Sequence, residues 1–484
     1  MPLKRCIQSS MLAATITLSL SAHSSNMEDC YLNGLSDKIQ CGSLALPKDY
    51  QDPSLGTLDI HFSVIPATKK VPGNAPLVAI SGGPGQSAIE SGAMFERTFN
   101  RVRQQHDILL IDQRGTGKSS PLQCQQPDFA ETLAQDDTKL DIHAEMQACF
   151  EQLPEHPKYF SSYAATQDLE AIRKHLGYDK LHLYGISYGT RMAQMYSQYY
   201  PQNVVTQTLD GVVPPQINVM DVNLAVDRAL DKLIEDCQGI SGCQSQFGDI
   251  KSRLHTLVAK LKQQPIHTRV AHPSTGQIVP MLLTPSKFLG SLRMALYSPQ
   301  SKQLIPYLIS QTEQGNYQPL LGVMSLFSDG AGISMGMHFA IVCGEDYPRL
   351  TKQEKASMQQ SLIGADMLNT ISNACDIWQV PDNTATLGGA PQHDIPTLLL
   401  SGDKDPATPP AWGDIAMEKL TNARHLVAAH GTHGIAQQSC GNKLIAQFIQ
   451  NKDANALEAA CLDTLTSEFF KDANSLASHD KESK

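Results

Sequence analysis

The chain has 484 residues, with 38 Lys and Arg against 48 Asp and Glu for a net charge of −10, 41% apolar residues, 18% charged residues and 11 cysteines. Single hydrophobic cores stop growing near ~250–300 residues, so this length calls for two cores or for one core with a large insertion. The acidic balance, with no Lys/Arg run longer than two, argues against a nucleic-acid partner, and the lack of any 18-residue apolar stretch argues against a membrane span.

The chain begins with Lys4-Arg5, a short apolar run from Met11 to Leu20, and small residues from Ser21 to Ser25. That is the order of a secretory signal, expected over residues 1–24, with cleavage after Ala22 or Ser24 and a periplasmic or secreted destination. Cysteine counting agrees. Removing Cys6 leaves ten, Cys30, Cys41, Cys124, Cys149, Cys237, Cys243, Cys343, Cys375, Cys440 and Cys461, and an even number suits an oxidising compartment. Sequential neighbours suggest the pairs 30–41, 124–149, 237–243, 343–375 and 440–461, although sequence alone does not settle connectivity. Zinc is the rival use of cysteine, but no Cys-x-x-Cys pair occurs, so no metal is expected.

Apolar, β-branched runs follow at Leu58–Ile65, Pro76–Ile80, Asp107–Asp112, Lys180–Ile186, Val204–Val213, Thr397–Leu400 and His425–Ala429. Several are continuous rather than alternating, as strands buried on both faces of a parallel sheet read. Leu169, Ile172 and Leu176 share a helical face that Gly177 closes before the next strand, so the rhythm is α/β. From Pro214 to Ala390 strand signals are weak and helical patterns recur, at Leu224–Cys237, Leu254–Leu261, Phe288–Leu296 and Leu304–Ile309. We read residues 25–213 and 391–484 as an α/β core and 214–390 as an inserted helical cap. The last residues, from Ser475 to Lys484, read as a polar tail.

After the strand Leu181–Tyr184 comes Gly185-Ile186-Ser187-Tyr188-Gly189, then a helical pattern. A Gly-x-Ser-x-Gly turn between strand and helix holds a serine Oγ clear of the backbone at a helix N-terminus, with glycines where a Cβ would clash. The bare pattern is weak, arising by chance in roughly one chain in six of this length. Indeed Gly332-Ile333-Ser334-Met335-Gly336 matches it too. The residues before that second match, Ser328-Asp329-Gly330-Ala331, cannot form a buried strand, so Ser187 is the candidate nucleophile.

An acyl-transfer intermediate needs two N–H donors on its oxyanion. The Tyr188 amide is one candidate; the other is Gly83, in the Gly82-Gly83-Pro84-Gly85 loop that follows the strand at Pro76–Ile80. No Gly-Lys-Ser/Thr ending follows, so the loop is not a phosphate cradle. A base and its orienting carboxylate should lie downstream in the order Ser, acid, His. Two strands end in suitable loops, one carrying Asp403 and Asp405, the other His430 and His433. Asp405 and His433 are the nominees, with Asp403 read as a turn residue and His430 as a packing residue. The His-x-x-His pair lacks the Glu of a helical zinc site.

With Gly82–Gly85, Asp112-Gln113-Arg114-Gly115-Thr116-Gly117, Gly185–Thr190, Leu209-Asp210-Gly211-Val212-Val213 and Asp405-Pro406-Ala407-Thr408-Pro409 in place, the chain resembles the α/β-hydrolase family of prolyl iminopeptidases and secreted tripeptidyl aminopeptidases. The resemblance implies an α/β-hydrolase fold with a helical cap and a Ser187–Asp405–His433 triad. It further implies a serine exopeptidase that needs no cofactor and acts on peptides with a free N-terminus. It also nominates Glu345, and Asp346 beside it, as cap carboxylates that bind the substrate's α-ammonium. A charge-assisted hydrogen bond of that kind contributes ~1.5–3 kcal/mol. The prolyl iminopeptidases usually have His where Ser81 stands, so a preference for N-terminal proline does not follow. Arg114 reads as an internal loop-shaping residue, with Asp112 the nearby carboxylate. Two rival readings are a carboxylesterase of the same fold and a non-catalytic binding protein on it.

Overall fold

The computed structural model describes residues 27–326, 332–466 and Phe469; the expected signal over residues 1–24 and the tail from Ser475 lie outside the described residues. Eleven strands are described: β1 Glu28–Cys30, β2 Ile39–Pro47, β3 Thr57–Ile65, β4 Leu77–Ile80, β5 Ile108–Ile111, β6 Leu181–Ile186, β7 Val204–Asp210, β8 Ile266–Ala271, β9 Ile278–Leu283, β10 Thr397–Gly402 and β11 Ala423–Ala428. Nine form one sheet in the order β1-β2-β3-β5-β4-β6-β7-β10-β11. The six strands from β5 to β11 in that order run parallel. The edge formed by β1, β2 and β3 is antiparallel.

The central parallel strands are buried almost throughout. β4, β5 and β10 have every residue buried, which is why they read as unbroken apolar runs. β1 and β2 escaped the sequence reading because β2 alternates buried, half-buried and exposed positions and carries Cys41, Gly42 and Pro47. The helix Ser162–His175 buries Leu169 and Ile172, and Gly177, at φ +71°, turns the chain into β6.

β7 and β10 are neighbours in the sheet, and residues 211–396 intervene between them. Most of this insertion is helical, including Val222–Gly239, Ile250–Gln263, Pro285–Ala295 and Ile305–Glu313. It is not purely helical, however: β8 and β9 pair antiparallel within it. The two six-residue strands flank the turn-forming His272-Pro273-Ser274-Thr275-Gly276-Gln277, and only Met281, Leu282 and Leu283 of β9 are well buried. One apolar face that short gives a weak periodic signal.

The insertion is also divided in its packing. Its first part builds its own core around Leu230, Ile234, Leu257, Phe288 and Ile309. Its second part, through Met337, Phe339 and Trp378, joins the cluster that covers the sheet face beneath the helix Tyr188–Tyr199. The opposite face is filled by Phe95, Phe99, Leu444 and Phe448. Five disulfides link Cys30–Cys41, Cys124–Cys149, Cys237–Cys243, Cys343–Cys375 and Cys440–Cys461, the sequential-neighbour arrangement. Among the described residues, no helix is long and apolar enough to cross a membrane.

Candidate active site

Ser187 sits between β6 and the helix Tyr188–Tyr199, with φ 57° and ψ −129°. A non-glycine residue in that region stores on the order of 1–3 kcal/mol of strain, and the neighbours explain how it is held. The Ser187 amide donates to the Asp210 carbonyl at 2.9 Å, and the Thr190 hydroxyl donates to the Ser187 carbonyl at 2.6 Å. A Cβ on Gly185 would lie 2.3 Å from the Gly189 carbonyl oxygen, and one on Gly189 the same distance from that of Ile80. Both glycines of the motif are therefore required by close backbone approach.

β10 and β11 deliver the next two residues. His433 Nδ1 and Asp405 Oδ2 are 2.8 Å apart, with the Asp405 side chain fully buried and that of His433 12% exposed. The other Asp405 oxygen accepts the Ala407 and Thr408 amides at 2.8 and 2.9 Å, and the Thr408 hydroxyl donates to Oδ2 at 2.7 Å. Burial works against the Asp405 charge, but His433 and these donors outweigh it and hold the carboxyl below its usual range. Burial likewise disfavours the imidazolium, yet Asp405, with Asp210 adding, raises His433 above its ordinary value. The pair thus sets one ring nitrogen toward the carboxylate and leaves Nε2 for chemistry. Asp403 and His430, the other residues considered in these loops, make no such pair. Their carbonyls instead accept Lys232 and Lys302 of the insertion, at 3.1 and 2.9 Å.

Asp210 ties the histidine loop to the serine turn. Its carboxylate accepts the Ile435 and Ala436 amides at 2.7 and 2.8 Å and the Tyr184 hydroxyl at 2.9 Å, while its carbonyl takes the Ser187 amide. Gly211 follows at φ +68°, where a Cβ would lie 3.0 Å from His433 Cε1. The Leu-Asp-Gly block carried the family resemblance, but its task as a brace depends on partners more than 220 residues away and was not legible locally.

The glycine loop lies against the serine: a Cβ on Gly82 would be 2.9 Å from Ser187 Cβ. Gly83 and Gly85 have φ of +106° and +112°, conformations that favour glycine. Tyr188 opens its helix, so its amide is among those without an intrahelical acceptor. The insertion clamps this loop. Ser334 donates its amide to the Gly85 carbonyl at 2.9 Å, Ile333 forms an antiparallel bridge with Gln86, and His338 Nδ1 donates to the Pro84 carbonyl at 3.2 Å. Burial pushes the pKa of His338 down to about 4, so the ring is neutral near pH 7. The second Gly-x-Ser-x-Gly segment is therefore a brace on the glycine loop.

The two insertion carboxylates differ from one another. Asp346 is fully buried and already committed: it accepts from Arg191 at 2.8 and 3.0 Å, from Arg349 at 2.6 Å and from the Val219 amide at 2.9 Å. With these partners Asp346 fastens the insertion to the helix that follows Ser187. Glu345 is also buried, but it accepts only from Ser162, through the amide at 2.7 Å and the hydroxyl at 2.6 Å. The nearest guanidinium, Arg191, stays 3.9 Å away. Burial, incompletely offset by Arg191 and Ser162, pushes the Glu345 pKa up to about 7. Ser162 Oγ also lies 2.6 Å from the Tyr188 hydroxyl, so Glu345 is one residue removed from the elbow.

Arg114 is an internal residue, but its partner is Asp168 rather than Asp112. Its guanidinium makes two 2.7 Å hydrogen bonds to Asp168 and reaches the Pro47, Lys48 and Tyr159 carbonyls. Asp112 instead gathers the Ser87 hydroxyl and the Ile89 and Lys118 amides. One residue of the insertion that sequence reasoning missed stands directly on the site: the Tyr297 ring meets His433 edge to face, centroids 5.3 Å apart.

A mostly parallel sheet with a strained strand–helix serine and a carboxylate–histidine pair in downstream loops defines an α/β-hydrolase-fold serine hydrolase. Residues 75–244 match the family model described as alpha/beta hydrolase fold, and residues 360–461 match that described as TAP-like protein; the chain has the α/β-hydrolase fold. It is 28% identical over 447 residues to the serine protease Hip1 of Mycobacterium tuberculosis, covering 84% of each chain. It is 23% identical over 474 residues to the tripeptidyl aminopeptidase of Streptomyces coelicolor, covering 90% of this chain and 85% of that one. A proline iminopeptidase of Arabidopsis thaliana is 27% identical over 164 residues, about a third of each chain.

Proposed function

We propose that this enzyme is a secreted or periplasmic serine peptidase that removes one to three residues from peptide N-termini. Ser187 Oγ attacks the scissile carbonyl while His433 Nε2 takes its proton. Asp405 keeps the ring oriented and stabilises the imidazolium. The Gly83 and Tyr188 amides receive the developing oxyanion. His433 then returns the proton to the leaving amine, and water attacks the Ser187 acyl-enzyme by the same route in reverse. The observation that carries the hydrolase chemistry is the 2.8 Å Asp405–His433 hydrogen bond, on a loop that Asp210 ties to the serine turn. The names of the relatives support peptides as substrates.

Exopeptidase selection falls to Glu345. Asp346 bonds two guanidiniums directly, whereas Glu345 bonds only hydroxyl and amide donors with Arg191 3.9 Å away, and its raised pKa marks a buried charge that this one arginine does not fully answer. A substrate ammonium supplies that cation. Glu345 has no solvent exposure, so substrate entry must shift its contact with Ser162.

The test compares wild type, Ser187→Ala and Glu345→Gln on chromogenic amides of one to three residues, each with a free and an acetylated N-terminus. Wild type should cleave the free-amine series alone, and Ser187→Ala neither. Glu345→Gln should lose about 10–100-fold in kcat/KM on free amines while sparing small esters. Equal cleavage of acetylated amides sinks the exopeptidase reading, and preferred cleavage of simple esters replaces it with an esterase.

A further inference from the structure

One charged group on the element that bears Tyr297 has no task in the chemistry above. Arg293 lies in the last turn of the helix Pro285–Ala295. Four residues later, across a turn continued by the Leu296 and Tyr297 amides, stands Tyr297, whose ring packs on His433. Residues four apart lie on one helical face, so Arg293 is one turn from the residue that touches the catalytic imidazole. Its charge also reaches the neutral ring of His338, which it helps to keep unprotonated, and that ring holds the Pro84 carbonyl of the glycine loop. Arg293 is therefore linked along its own helix to the residue on His433 and electrostatically to the ring that holds the glycine loop.

Among the described residues its guanidinium finds no partner. Among the described residues, Arg293 is the one partly buried arginine whose head group makes no hydrogen bond or ion pair, and its Nε is buried without a partner. Arg103, Arg253, Arg349 and Arg424, buried to a similar degree, each bond carboxylates or carbonyls. An unsatisfied buried donor destabilises the fold unless something outside the fold answers it. A fork of N–H donors is suited above all to a carboxylate.

We propose that Arg293 binds a carboxylate on the leaving-group side of the scissile bond, making the enzyme selective for peptides that carry a negative charge just beyond the cleavage point. The leaving amine is the group that His433 protonates, and Tyr297, one turn from Arg293, packs on that imidazole, so the carboxylate that Arg293 takes is assigned to the departing part of the substrate. It comes either from the C-terminus of a short peptide or from an Asp or Glu side chain immediately after the scissile bond. The inference rests on Ser187 and His433 acting as proposed above.

Two matched substrate pairs separate these sources. The first is a short peptide with one residue beyond the cleaved bond, as free acid and as C-terminal amide. The second is a longer, C-terminally amidated peptide with Glu or Gln immediately after that bond. Each is assayed with wild type, Arg293→Gln and Arg293→Lys, and the quantity read is the ratio of kcat/KM for the charged over the neutral member, which does not depend on the fraction of folded enzyme. Wild type should favour the charged member by about tenfold or more in at least one pair, with the responding pair naming the source. Arg293→Gln should bring that ratio to about one, and Arg293→Lys should keep part of it. Ratios near one in wild type, or a preference that survives Arg293→Gln, overturn the assignment to Arg293 while leaving the peptidase reading intact. Failure to cleave any of the four peptides overturns both.

Discussion

Gly185–Gly189 and Gly332–Gly336 spell the same pattern in two regions of the molecule and adopt different backbones. In the first, a buried strand runs into the turn, Ser187 is forced to φ 57°, and a Cβ on either glycine would come within 2.3 Å of a backbone oxygen. In the second, Ser334 has an ordinary φ of −72° at the start of the helix Met335–Ile341, and its amide braces Gly85. The pentapeptide does not make a nucleophile. The strand before it and the helix after it do, by squeezing the turn until only glycine fits on either side. What the second copy contributes is a main-chain contact from the insertion to the loop that faces Ser187.

The sharpest way to break this comparison is to remove each hydroxyl in turn. Ser187→Ala should lower kcat by on the order of 10⁴-fold or more. If a variant of comparable secondary structure keeps measurable turnover, Ser187 is not the nucleophile.

Next in size is the seam between the two regions. A Cβ on Gly85 would lie 2.8 Å from the Ser334 carbonyl oxygen, at a φ of +112°. Gly85→Ala should therefore push the brace off the glycine loop and reduce kcat by about 10–100-fold, less than outright loss of an oxyanion donor. Thermal unfolding of the same variant should show only a modest shift, which would separate loop displacement from global damage.

The two histidines sharpen the contrast further. The proton-accepting form of His433 is neutral, and Asp405 raises its pKa above the ordinary 6.5. As pH falls through that raised value the base is lost, so the acidic limb of kcat/KM on a small ester, which does not call on the Glu345 charge, should lie above 6.5. Asp405→Asn should move it downward. His338, held near 4 by burial, adds no limb close to neutrality. A wild-type limb at or below 6.5 would remove Asp405 from this role. Smallest of all, Ser334→Ala should change kcat by less than about twofold, because its brace is an amide and not a hydroxyl; a large loss would mean that the second segment does more than support the loop.

Much of the catalytic core was legible because its signals are local. A continuous apolar strand, a turn that excludes Cβ atoms and an acidic or histidine loop after a strand each occupy fewer than about ten residues, and each obeys backbone sterics that neighbours in sequence impose. The disulfide pairs were legible for the same reason, since every partner is the next cysteine along the chain. The β8–β9 hairpin was not, because one short buried face resembles any loop with a few apolar residues. The partner of Arg114 was misread as Asp112, two residues away, when it is Asp168 on a helix 54 residues on. The division of labour between Glu345 and Asp346 was likewise out of reach: adjacent carboxylates look alike until Arg191 and Arg349 arrive beside one of them.

Taken by itself, the sequence determined the α/β rhythm, the position of the elbow and the short list of acids and histidines, since all of these follow from spacing and side-chain chemistry within single elements. Tertiary structure decided which of those residues meet. Asp210 joins two turns separated by more than 220 residues, Tyr297 closes on His433 from the insertion, and Arg293, one turn before Tyr297, has no partner among the described residues. Contacts of this kind depend on where a folded insertion comes to rest on a sheet, and that is set by packing between distant surfaces, about which no local pattern carries information.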